Sequence, residues 1–89
     1  MTWPYGGLDV QQVRQLSTQL SQKASDIDSI LSSLTGALNN TQWEGPDATK
    51  FRNDWSGQHT SVLKQVAQAL RDASQNAQQN AAQQEQASQ

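Results

Sequence analysis

The stretch Trp43-Glu44-Gly45-Pro46-Asp47-Ala48 lies at the middle of an 89-residue chain and separates two long segments of helical periodicity. A tight bend needs a residue without the constraint of a Cβ, and Gly45 supplies it. Pro46 suits the first position of a following helix, where its missing N–H goes unnoticed. Asp47 stands where the helix dipole favours an acid. The indole of Trp43 belongs in a turn only where it packs against something. These residues predict a helical hairpin whose bend spans 40–45.

Upstream of the bend, Val13, Leu20, Ile27 and Leu34 recur every seven residues. Leu16 and Ile30 follow Val13 and Ile27 by three, and Leu31 and Leu38 follow Ile27 and Leu34 by four. This is a wide apolar stripe at helical spacing. Lys23 interrupts it, with an aliphatic stem able to lie along the stripe. Asp9 with Gln12 predicts an N-cap, and Asn39-Asn40 a stop. The resulting helix over 9–39 would be about 45 Å long at about 1.5 Å per residue.

Downstream, Ala48, Phe51, Trp55, His59, Val62, Val66, Ala69, Leu70 and Ala73 follow at mostly three- and four-residue steps. Ala48, His59, Leu70 and Ala81 also align at a spacing of eleven, which predicts a fairly straight helix with little left-handed supercoil. Gly57 is its one interior blemish, costing about 1 kcal/mol against alanine. A helix over 46–77 is expected. Beyond it the apolar residues shrink to alanine and glutamine takes over, so 78–89 is expected to be a frayed or disordered tail. Residues 1–8, with Pro4 and Gly6-Gly7, are expected to be irregular.

The hydrophobic fraction is 34%, against roughly 45–50% for typical globular chains. A chain this short and polar cannot wrap a large core alone, and shared burial with a second chain is the simplest remedy. A hairpin has one internal interface, yet both stripes are wider than one interface requires. The fold class expected is therefore all-α: an antiparallel hairpin that dimerises into a four-helix bundle. Val13, Leu16, Leu20, Ile27, Ile30, Leu34, Phe51, Trp55, His59, Val62, Val66 and Leu70 are the candidate hairpin or dimer interface, with Trp55 as a main anchor.

Composition excludes several function classes. Eight acids and six bases give a net charge of −2, and Arg14, Lys23, Lys50, Arg52, Lys64 and Arg71 are scattered, so no basic patch for nucleic acid is expected. These residues are read as solubilising exposed helix faces. There is no cysteine and His59 is the only histidine, which leaves no metal-ligand set. His59 falls on the apolar stripe and reads as packed or interfacial, a pH-sensing role being only thinly motivated. Asp26 and Asp28 are two apart and face different sides of a helix, so no carboxylate pair or nucleophile–base set suggests an enzyme, and no cofactor is expected. The N-terminus lacks the basic start and apolar run of a cleaved signal peptide, and nothing approaches the roughly 18 apolar residues of a membrane span. Export, if it occurs, must use a route without a cleaved signal.

The mid-chain Trp43-Glu44-Gly45-Pro46-Asp47-Ala48, with Phe51 and Trp55 following, resembles the centre of the WXG family of Gram-positive bacteria, similar to the early secreted antigens of actinobacteria. The resemblance covers about residues 8–75. It implies a hairpin that pairs as homodimer or heterodimer and is exported as a folded dimer by a type VII secretion system with an FtsK/SpoIIIE-like ATPase. It also implies that Trp43 and Gly45 form part of the export signal. Family members bearing the tail signal carry Tyr, three residues, then Asp or Glu after the second helix. This chain has no tyrosine beyond Tyr5, and its one match in spacing, Tyr5 to Asp9, is at the opposite end, where Asp9 is better explained as a cap. A heterodimer with a homologous subunit supplying the tail signal is therefore favoured over a homodimer. The chief alternative is an intracellular helical adaptor or chaperone escorting a larger secreted effector. Membrane disruption is disfavoured, because the polar faces are rich in Gln and Ser rather than Lys and Arg.

Overall fold

A computed structural model describes residues 9–87; the expected irregular segment 1–8 lies outside the described residues. The fold is all-helical. Helix α1 (Val10–Asn40) runs to the bend, and α2 (Pro46–Asp54), a π-helical turn (Trp55–His59) and α3 (Thr60–Ala87) form one continuous returning arm. The hairpin is a rod of 64 × 21 × 18 Å.

Asp9 caps α1: its carboxylate accepts from the Gln12 N–H at 3.2 Å, and its carbonyl accepts from Val13 N–H at 2.9 Å. At the other end Thr41 closes the helix, its hydroxyl donating to the Ala37 carbonyl at 2.6 Å. The returning arm does not end near residue 77. It continues to Ala87, correcting the expected tail. Small residues there still meet α1: Ala81 is fully buried, and Glu85 pairs with Arg14 at 3.0 Å.

The two arms meet mainly through small side chains. Ser17, Ala24 and Leu31 are buried on α1, and Ala67, Ser74 and Ala81 on α3, each set at seven-residue spacing. Val13, Leu20, Ile27 and Leu38 fill the intervening half-buried positions of α1, and Thr60, Leu63, Leu70 and Ala77 those of α3. Towards the open end the Ser17 hydroxyl donates to the Ser74 carbonyl at 2.9 Å and the Ser74 hydroxyl to the Ser17 carbonyl at 2.7 Å. Side chains this short bring the two backbones within one hydroxyl of each other. Both hydroxyls are satisfied, as a dry seam requires.

The π-helical turn explains where the returning arm departs from its expected pattern. Before the turn, Ala48, Arg52 and Trp55 face α1 at steps of four and three. A regular helix would continue through His59, Val62, Val66, Ala69 and Ala73, the residues read as the stripe. The π turn holds one extra residue, so the facing set becomes Thr60, Leu63, Ala67, Leu70 and Ser74. His59, Val62 and Val66 rotate outward and are exposed. His59 is thus not packed against the first helix, and the eleven-residue alignment gives way to a seven-residue seam. The Thr60 hydroxyl stabilises the turn by donating to the Trp55 carbonyl at 2.5 Å.

The same register makes the two flanks of the seam unlike. On one, Arg14 pairs with Glu85 and Arg71 with Asp28, joining the arms by charge. Leu16, Ile30, Phe51 and Val66 occupy the positions on the opposite flank and are roughly half exposed.

Replacing Ala67 with leucine should lower stability by about 1–3 kcal/mol, since overpacking forces the arms apart. Ala69→Leu should stay within about 0.5 kcal/mol, the usual range for an exposed site. Urea unfolding of both variants checks the phase of the arm, because an uninterrupted helix would put residue 69 on the seam instead.

Candidate functional site

The bend from Thr41 to Gly45 is built by groups that reach into it from α2. Gly45 adopts φ 117° and ψ 173°, a region open essentially to glycine, and its carbonyl accepts from Thr49 N–H at 3.0 Å to open the helix. Pro46 occupies the first turn and Asp47 lies beside the helix N-terminus.

Arg52 is the central cation of the bend. One guanidinium nitrogen donates to the Trp43 carbonyl at 2.6 Å, and the other to the carbonyls of Thr41 at 3.0 Å and Leu38 at 3.2 Å. Helix α1 has no basic residue in its own last turn, and Arg52 supplies the positive charge that the carbonyl end of a helix favours. Its guanidinium carbon also lies 5.9 Å from the centroid of the Trp43 ring, within cation–π range. Reading Arg52 as a merely solubilising charge misses this role. The only signal in the sequence is the presence of an arginine about two turns after a glycine bend, which is too common to single it out.

An aromatic ladder follows. Trp43 meets Phe51 with ring centroids 6.2 Å apart, and Phe51 stacks on Trp55 at 6.4 Å and an interplanar angle of 10°. Exposure drops only at its last ring: Trp43 is 42% exposed and Phe51 43%, but Trp55 only 8%. The buried Trp55 places its indole N–H on the Thr35 hydroxyl at 3.0 Å, anchoring the ladder to α1. A shallow groove of about 200 Å³ opens beside it, lined by Thr35, Leu38, Asn39, Arg52, Trp55 and their neighbours.

Of the residues singled out in the sequence, the structure gathers Trp43, Gly45, Phe51 and Trp55 at this end of the rod. Val13, Leu20, Ile27 and Leu70 lie half-buried along the seam. Leu16, Ile30, Leu34, Val62 and Val66 are exposed along the rod, and His59 is exposed beyond the ladder.

One exposed ion pair flanks the site. Lys50 donates to Asp54 at 2.8 Å, and this hydrogen bond raises the lysine above its ordinary pKa and lowers the aspartate below its own. The aspartate's share of stability is present above the normal carboxylate range and is lost as pH falls through its lowered value; the lysine's share is lost as pH rises through its raised one. Among the described residues no group of His, Asp and Glu could hold a metal ion, and no helix is long and apolar enough to cross a membrane. The chemistry this end can perform is presentation of a fixed, half-exposed aromatic surface.

Gly45→Ala should cost about 1–3 kcal/mol, because the backbone there is strained for any L side chain even though the space around it is open. Thermal unfolding followed by circular dichroism measures the loss.

Comparison with family models, with curated proteins and with solved structures gives no match.

Proposed function

We propose that this chain is a small WXG-type secreted protein that acts through protein–protein contacts. It pairs with a homologous subunit to form a four-helix bundle. A type VII secretion system exports the folded pair, and its FtsK/SpoIIIE-like ATPase recognises a composite signal. Trp43 and Gly45 supply one half of that signal, and the partner subunit's tail supplies the other.

The observation that carries this reading is Trp43 itself. Trp43 is half exposed at the bend and is held there by Arg52 and Phe51 rather than tucked away. Tryptophan and arginine in such a setting are the residues that dominate protein recognition. Pairing is supported by the unlike flanks of the seam. The small-residue interior leaves Leu16, Ile30, Leu34, Phe51, Val62 and Val66 exposed, with Leu16, Ile30, Phe51 and Val66 together on one flank.

Trp43→Ala, expressed with the homologous subunit in a host carrying such a system, should reduce export at least about tenfold, equivalent to roughly 1.4 kcal/mol of recognition. Light scattering on the same pair should show unchanged mass. Unchanged export with normal pairing would remove the recognition role and leave the adaptor reading in its place. A purified chain that is monomeric alone and pairs only with the homologous subunit is the expected solution behaviour; a stable species near twice 9.8 kDa would replace the heterodimer with a homodimer.

A further inference from the structure

We infer that Arg52 is the positioning residue for Trp43, fixing the indole face that a binding partner meets. This inference rests on the reading of Trp43 as a recognition side chain. Outside the helices, the backbone–backbone hydrogen bonds among the described residues are the two that open α1 and α2. The chain from Thr41 to Glu44 is therefore held by side chains, and Arg52 binds two of its carbonyls together with that of Leu38 in the preceding helix. The same planar group lies over the indole of Trp43. Backbone and ring of one residue are thus tied to a single side chain, which is itself carried on a helix one turn from the buried Trp55. Phe51, its neighbour in sequence, meets the ring as well.

The geometry of the fork is what the role requires. A guanidinium offers five N–H donors in a plane and stacks on aromatic faces, whereas an ammonium is a compact, strongly hydrated point charge. Lysine at this position would keep the positive charge beside the end of α1, but its donors radiate from a single nitrogen and cannot reach the Trp43 carbonyl from one nitrogen and the Thr41 and Leu38 carbonyls from another while a planar group sits over the ring. The helix terminus and the indole therefore respond differently to the same substitution, which separates positioning from simple stabilisation.

The test is nitrogen relaxation of the Trp43 indole N–H in the full chain, with Arg52→Lys and Arg52→Gln beside the unsubstituted protein and helicity followed by circular dichroism. The expected result is retained helicity, with the order parameter of the Trp43 indole falling in both variants from roughly 0.85, typical of rigid sites, to below roughly 0.6. An Arg52→Lys indole as rigid as the original overturns the inference. In the unsubstituted chain the Arg52 guanidinium should rotate slowly about its Nε–Cζ bond, and a freely rotating group overturns it independently of how the variants fold. Failure of the recognition reading is distinguishable: Trp43→Ala would then leave export intact while the relaxation result for Arg52 stood.

Discussion

The close approach of two helices across Ser17 and Ser74 is the constraint on which the rest of the hairpin depends. Each serine hydroxyl reaches the other residue's backbone carbonyl, which requires the two arms to come nearer than leucine or phenylalanine at those positions would permit. Ala24, Ala67 and Ala81 are likewise buried along the rod. A seam of small residues contributes little hydrophobic area per side chain, so its stability relies on dense backbone contact and on satisfied polar groups. Leu31 and Trp55 enter the seam towards the bend, and most of the other large apolar residues lie at its edges.

The hairpin itself was legible in the sequence, because Gly45-Pro46-Asp47 combines a residue free to take positive φ with a helix-starting pair, and because Asp9 has the spacing of a cap. Periodicity on the first arm was legible for the same reason: Val13, Leu20 and Ile27 do lie along the inner side. On the second arm the pattern misled beyond Trp55. Hydrophobic spacing assumes a constant turn, and a single π turn shifts every later residue by one position. Nothing in Trp55-Ser56-Gly57-Gln58-His59 announces that shift beyond a glycine that weakens the regular helix. The far end of the arm was missed for a different reason. Alanine offers too little area to order an isolated chain, whereas in a seam built mainly from small residues Ala81 is the size the site accepts.

The bend shows a comparable division. Trp43, Gly45, Phe51 and Trp55 draw notice as aromatics around a glycine, and they do assemble at one end. Arg52 does not draw notice, because its partners are backbone carbonyls that have no identity in a sequence. The ion pairs Arg14–Glu85 and Arg71–Asp28 are equally silent, since each joins residues far apart in the chain. What a one-dimensional reading retains is local geometry and pattern. What it loses is any contact whose partner is main chain or lies on the other arm.

The bend also orders events in time. The contacts that Arg52 makes to Trp43, Thr41 and Leu38 span only 9, 11 and 14 residues, whereas Ser17 and Ser74 are 57 apart. Closing a short loop costs less entropy than closing a long one, so the elbow is the cheapest place for the chain to begin. Once it has closed, each further pair along the arms joins a structure whose ends are already near each other. The hairpin is thereby suited to zip from its elbow towards its termini, and low contact separation of this kind is associated with fast folding. The residues that present Trp43 would be among the first to find their places as the chain emerges, and the open ends among the last.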